Sequence, residues 1–211
     1  MAKIFTAKQV YDLDHMNAAS RRIGGLGTLL FGAVPSAGTL EALRINHYAC
    51  APAGASATAI LAATTLPTTG TLTVTANITN PDFPRVLSIT GNASGITGNV
   101  LVNGLDFSGA TIQDTIALSG TATVVGAKAF KSVSSVVFPQ KTHASDTCSV
   151  GTSVDIGLPQ VIEATDVLFV HNVSGSTDAG TVTQSATLSG NFYAVAGTLN
   201  GTNILDLYYL A

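Results

Sequence analysis

The sequence predicts an all-β protein: an antiparallel β-sandwich, immunoglobulin-like or jelly-roll-like, preceded by an N-terminal arm that contains a short helix. Three observations predict it. Charged residues make up only 10% of the 211 residues, against roughly 25% in an average soluble domain. Short apolar segments alternate with Gly, Asn and Ser turns from about residue 40 onward. The first 35 residues follow a different pattern, which is typical of a helix and a connector.

The predicted arm covers residues 1–35. Thr6 can cap a helix through Ala7–Arg22, in which three apolar side chains lie roughly along one side. Gly24 and Gly25 end this helix. The apolar, Gly-rich segment that follows would be unfavourable on an isolated chain, so we expect it to pack against another subunit or a partner.

The predicted sandwich covers residues 36–211. Its apolar segments alternate with polar residues at the period of a β-strand, whereas Ala55–Ala63 fits a helix or a strand. Asn80–Pro84 cannot be regular structure, because two prolines remove backbone donors. The strands expected in the first two thirds are 41–51, 71–79, 85–90, 98–102, 111–118, 121–125 and 129–138.

Turn residues separate these strands. Asn103–Gly104 favours a tight hairpin turn, although the following LDFSG also allows a longer loop. Gly126 predicts a break between two strands.

The last third continues in the same style. We expect the apolar C-terminal segment to be tied into a sheet. Residues 141–149 are a possible subdomain boundary, and one sandwich with an arm is favoured over two β domains. The strands expected here are 149–156, 161–162, 167–172, 181–188 and 203–211.

The charge is divided unevenly along the chain. Residues 1–50 carry five basic and three acidic side chains, whereas residues 51–211 carry four basic and nine acidic ones. A weakly basic arm on an acidic body is compatible with docking on an acidic partner, and also with chance. No basic stripe is present, so nucleic-acid binding is not expected.

The reactive residue types do not form a recognisable site. Cys50 and Cys148 lie outside any CxxC or metal-binding spacing, and two buried thiols are favoured over one disulfide. Asp12, Asp14 and His15 form DLDH, which fits a solvated helix face better than a metal site. His171 lies in an apolar strand and is expected to be structural.

Motifs of catalysis, phosphate binding and glycoside hydrolysis are absent from the sequence. We therefore expect no enzymatic activity, no cofactor and no metal. The segment MAKIFTAKQV lacks the apolar region of a secretory signal, and Ile23–Val34 is too short to span a bilayer. No membrane association is expected.

Two segments resemble tailed-bacteriophage virion proteins. PDFPRVLSITG (81–91) contains a Pro-Asp-x-Pro-Arg turn that opens a strand, and TIALSGTATVVGAKAFKSVSSVVFP (115–139) contains V-x-G-x-K-A-F at Val124–Phe130. VGTSVDIGLP (150–159) and the terminal GTLNGTNILDLYYLA are similar too. The resemblance covers roughly residues 75–211.

The resemblance implies a structural protein of the virion, namely a capsid decoration (cement) protein or head fibre. Such a protein would bind the shell of the major capsid protein as a homotrimer, on the capsid exterior. A tail or adaptor component is the first alternative. A host-surface carbohydrate-binding adhesin is the second. Its candidate aromatic platform is Tyr193, Tyr208 and Tyr209, although a core or interface role is favoured for these residues near a C-terminal strand.

Overall fold

The computed structural model describes residues 45–162 and 168–210, so the predicted arm, its helix and the DLDH segment lie outside the described residues. The described chain is almost entirely β, which confirms the predicted fold class. Its strands are β1 (Ile45–Cys50), β2 (Ser56–Thr65), β3 (Leu72–Val74), β4 (Arg85–Gly91), β5 (Asn99–Leu105), β6 (Thr111–Ala117), β7 (Thr123–Phe130), β8 (Ser132–Phe138), β9 (Thr147–Gly157), β10 (Leu168–Val173), β11 (Ser176–Thr177), β12 (Thr181–Thr183), β13 (Phe192–Ala194) and β14 (Leu205–Leu210). One 3-10 turn covers Leu188–Gly190.

The strands form three antiparallel sheets. The first has the order β1-β14-β10-β11, the second β12-β13-β9-β4-β7, and the third β3-β8-β5-β6. β2 joins the second sheet by pairing with β9. β9 is therefore central: β4 pairs along one of its edges, while β2 and β13 share the other.

The second and third sheets face each other across the larger core. Alternation of apolar and polar residues along each strand places the apolar side chains on the inner faces. The second sheet contributes Ile60, Leu61, Leu87, Ile89, Phe130, Cys148 and Val150, and the third contributes Val100, Val102, Ile116, Val133, Val136 and Phe138. This packing is the predicted β-sandwich.

A second core lies between the first sheet and the C-terminal half of β9 with β13. Its buried residues are Cys50, Ile156, Leu158, Ile162, Tyr193, Val195, Leu199, Leu205, Leu207 and Tyr209. The C-terminal strand β14 lies between β1 and β10, which confirms that the apolar terminus is tied into a sheet. β9 contributes to both cores, and the segment 141–149 leads into its first residues.

The edge of the sandwich at β6 and β7 is closed by Asp114. Its carboxylate on β6 accepts hydrogen bonds from the backbone N–H groups of Ala127 and Lys128 on β7, at 2.8 and 3.2 Å. The Lys128 ammonium donates to the carbonyl of Gln113 at 2.7 Å. A Cβ at Gly126 would overlap the Asp114 carboxylate, so the glycine permits this close approach.

Several predicted boundaries were wrong. Gly126 lies within β7, and the break between β7 and β8 falls at Lys131. Asn103–Gly104 lies within β5, and the chain turns at 106–110 instead, as the alternative of a longer loop allowed. The expected strand 71–79 is only Leu72–Val74, because Asn77 adopts a left-handed φ of 59° that ends extended structure.

Candidate functional site

Most charged side chains of the described body form hydrogen bonds or ion pairs with other parts of that body. Four of its seven aspartates, Asp106, Asp114, Asp146 and Asp178, are buried, and each accepts hydrogen bonds from nearby backbone N–H groups. A buried carboxylate is tolerated when such donors compensate for lost hydration. These aspartates therefore hold loops and strand edges in place.

Asp178 shows how completely such a carboxylate is satisfied. It accepts hydrogen bonds from the Tyr193 hydroxyl at 2.7 Å and from the backbone N–H groups of Gly180, Ala196 and Gly197 at 3.0, 3.1 and 2.6 Å. Burial acts to raise the pKa of Asp178, but these donors outweigh it and hold the pKa below its usual value. The lowered pKa keeps the carboxylate ionised, as an acceptor for these four donors.

Arg85 is the largest of the fully buried side chains, with 1% of its surface exposed. Its Nε donates to the carbonyl of Ser153 at 2.9 Å, and its Nη1 donates to the carbonyl of Ala53 and to Asp82, at 3.1 and 2.9 Å. Asp82 also accepts from the backbone N–H of Ala53 at 2.6 Å. The guanidinium thus ties the segment after β1, the turn before β4 and the middle of β9 together.

Cys50 and Cys148 are both free and buried, in different cores. Burial raises the pKa of Cys50 to about 11 and that of Cys148 to about 12. Both thiols are therefore protonated near neutral pH, whereas a reactive cysteine needs a thiolate. This matches the prediction of two buried thiols.

The three described histidines lie in separate places. His171 contacts the backbone carbonyl of Asp178 at 3.1 Å, which fits the expected structural role. His143 lies 3.4 Å from Asp146 in the loop before β9. Within the described ranges, no group of three His, Cys, Asp or Glu residues is placed to hold a metal ion.

One continuous segment of the body contains no charged side chain. The segment Ala51–Pro81, which contains β2 and β3, has no Asp, Glu, Lys, Arg or His. All its exposed residues are Ala, Gly, Ser, Thr or Asn. We call these exposed residues the β2–β3 surface. This surface follows directly from the sequence, but the charge-free segment was not singled out by sequence reasoning.

The β2–β3 surface forms one edge of the sandwich. β2 pairs with β9 and β3 pairs with β8, and each has its other side without a strand partner in the described part of the chain. The backbone N–H of Thr79 donates to the carbonyl of Ile60 at 2.9 Å and covers one point of the β2 edge. Edge strands are commonly protected from pairing with another chain by Pro or by charged side chains such as Lys. β2 contains neither.

The outer face of the first sheet carries a stacked aromatic pair, in which His47 is exposed and Tyr208 is half-buried. His47 on β1 and Tyr208 on β14 are opposite each other, and their rings stack with centroids 4.3 Å apart and planes 13° apart. Asp206, two residues before Tyr208, accepts a hydrogen bond from His47. Sequence reasoning could not find this pair, because β1 and β14 are the first and the last strand in the sequence of the described chain.

The three candidate platform tyrosines do not share a surface, and two of them have the favoured core role. Tyr193 and Tyr209 are buried in the second core, where burial raises the pKa of both hydroxyls. Tyr208 is half-buried and is the member of the three that reaches the surface.

The chain matches no protein-family model, no curated protein and no solved structure to which it was compared. Among the described residues there is no helix of the length and apolar character needed to cross a membrane.

Proposed function

We propose that this chain is a virion structural protein that binds the outside of a tailed-phage head, as a capsid decoration (cement) protein or head fibre. The proposal starts from the resemblance of residues 75–211 to such proteins. It includes a homotrimer on the shell of the major capsid protein, no cofactor and no enzymatic activity.

The observation that supports this role best is the engagement of charge inside the body. Each buried carboxylate accepts hydrogen bonds from backbone N–H groups, and Arg85 donates to two backbone carbonyls and to Asp82. The exposed residues of the β2–β3 surface are neutral. A catalytic site needs titratable groups that are free to act on a substrate. A neutral surface of small side chains instead suits contacts that are repeated in many copies.

The resemblance motifs have structural roles, which agrees with this proposal. Arg85, the last residue of the Pro-Asp-x-Pro-Arg turn, opens β4 and is bound to Asp82. In the V-x-G-x-K-A-F segment, Ala129 and Phe130 are buried and Lys128 is bonded to β6. Both motifs thus have structural roles within the sandwich.

The test is to mix the purified full chain with capsids that lack it and to image the particles. We expect regular density in many copies at capsomer centres or symmetry axes. Density confined to the tail or to one vertex would assign the chain to a tail or adaptor component. Particles that bind none of the protein would overturn the proposal.

A host-surface carbohydrate-binding adhesin is the second candidate, and the stacked His47–Tyr208 pair favours it. An exposed aromatic ring beside a carboxylate such as Asp206 can stack on a sugar and bond its hydroxyl groups. A glycan array tests this role: binding that is lost in Tyr208→Ala supports it, and an array without hits removes it.

A further inference from the structure

We propose that the β2–β3 surface is where this chain associates with a second copy of itself. The inference builds on the proposed function, which expects several copies to act together, and it adds the contact surface. It is tested without capsids, so its failure is distinguishable from a failure of shell binding.

The absence of charge favours a second copy over an acidic or basic partner. Copies related by a symmetry axis bring the same residues close to one another near that axis. A charged group there would face its own image and repel it, whereas the exposed residues of the β2–β3 surface bring no such repulsion. A partner of opposite charge would instead select Lys, Arg, Asp or Glu on this side.

The exposed residues are also of the right size for close packing. Ala57, Thr58, Ala62 and Ala63 are exposed on β2 and have short side chains. Ala and Gly lose no side-chain rotamer freedom when they are buried, and the Thr side chain is already restricted at χ1 before burial. Association through this surface therefore has a small entropic cost on the side-chain level.

The proposed contact is made by the exposed side chains of β2 and β3, and the strands of a second copy need not extend either sheet. The pairing of β2 with β9 shifts register between Ser56 and Leu61 and again between Leu61 and Thr64. Such irregularities interrupt an edge that would otherwise extend a sheet freely. They limit open-ended stacking of strands, whereas the exposed faces of β2 and β3 remain available to a second copy.

The test places charge on this surface in the full chain. Thr58→Lys with Ala62→Lys adds two ammonium groups to exposed positions of β2. The matched control is Thr115→Lys with Ala117→Lys, which exchanges the same residue types at exposed positions of β6, an edge strand of the third sheet. Light scattering after size-exclusion chromatography gives the mass of each species, and circular dichroism verifies the fold.

We expect the unmodified chain and the β6 variant to be oligomers at micromolar concentration. The β2 variant should be folded and should dissociate, with the dissociation constant raised on the order of a hundredfold because like charges are brought together. A monomeric unmodified chain would overturn the proposal whatever the variants do. Equal association of both variants, or dissociation of the β6 variant alone, would overturn it as well.

Discussion

At the scale of single residues, aspartate in this protein serves mainly as an acceptor for backbone donors. Asp106 illustrates the pattern: its carboxylate binds the N–H groups of Ser108 and Ala110, at 2.9 and 3.0 Å, and shapes the turn between β5 and β6. The buried aspartates lie at positions where several backbone donors converge and a neutral side chain could not accept from all of them. Their substitution should therefore affect stability more than binding.

Asp178→Asn tests this view. The asparagine has the same shape, but its NH2 group faces donors that need an acceptor, so the free energy of unfolding should fall by about 1–3 kcal/mol. Urea denaturation measures the change. The matched control is Asp155→Asn, since burial raises the pKa of Asp155 despite the Ser153 hydroxyl and Arg85 nearby. This control should change the unfolding free energy by less than about 0.5 kcal/mol or increase it, and equal losses would contradict the assigned role of Asp178.

The same carboxylates predict how stability depends on pH. Burial acts to raise the pKa of Asp82 and Asp178, but hydrogen bonds outweigh it in both, with Arg85 contributing at Asp82, so both pKa values lie below the usual range. In the unfolded chain an aspartate has a pKa of about 3.9. The unfolded state therefore binds more protons in acid, and this stabilisation is complete above that pKa and is lost as pH falls through the folded values.

We accordingly expect the free energy of unfolding to decrease on acidification below about pH 4. Asp178→Asn should flatten this decrease, because one of the responsible carboxylates is then absent. Denaturation curves of both proteins across the acidic range give the comparison. The same slope in both would show that Asp178 is not one of the groups that cause acid sensitivity.

At the scale of elements, Arg85 explains why a turn with two prolines leads into a buried strand. Pro81 and Pro84 exclude regular structure in this turn, and the guanidinium of Arg85 supplies the contacts that hold it against β9. Two backbone carbonyls, those of Ala53 and Ser153, accept hydrogen bonds from this side chain. The strand β4 therefore begins where its first residue can bind three separate segments.

Arg85→Lys should therefore lower the free energy of unfolding on the order of 3 kcal/mol, although the charge is kept. An ammonium group cannot reach the Ser153 and Ala53 carbonyls and Asp82 with the planar geometry of a guanidinium. Chemical denaturation measures the loss, and Lys131→Ala, which changes an exposed side chain, is expected to stay within about 0.5 kcal/mol. A variant as stable as the unmodified protein would contradict the role of Arg85.

The elements also show what local sequence can and cannot predict. The bounds of β4 and β6 were predicted to within one residue and those of β9 and β14 to within two, because their apolar residues recur at a strand period between clear turn residues. Gly126 and Asn103–Gly104 were misread as turns. A glycine in a strand is indistinguishable in sequence from a turn glycine. At Gly126 a glycine is required because Asp114 and Ile116, on another strand, approach its backbone closely.

The same limit applies to the candidate surfaces. The neutral character of Ala51–Pro81 is visible in the sequence, but the location of β2 and β3 at sheet edges depends on which strands pair. The His47–Tyr208 stack depends on the pairing of β1 with β14, two strands that lie far apart in the sequence. Long-range pairing is decided by the packing of both cores, and no local pattern encodes it.

At the scale of the whole molecule, the internal use of charge predicts that the proposed self-association through the β2–β3 surface does not depend on ionic strength. Ion pairs at an exposed interface are weakened by salt, because the Debye length is about 10 Å at 0.1 M and about 3 Å at 1 M. Apolar and neutral hydrogen-bonded contacts are not screened in this way. Of the four described basic side chains, Arg85 is buried, and Lys128 and Lys141 donate to backbone carbonyls.

The dissociation constant for self-association should thus change by less than about threefold between low salt and molar NaCl, since the proposed contact includes no charge pairs. Analytical ultracentrifugation across a salt series measures it. The variant with Thr58→Lys and Ala62→Lys serves as the contrast, because salt screens its added repulsion and should partly restore its association. A steep loss of association of the unmodified chain with salt would instead locate the contact at charged residues, away from β2 and β3.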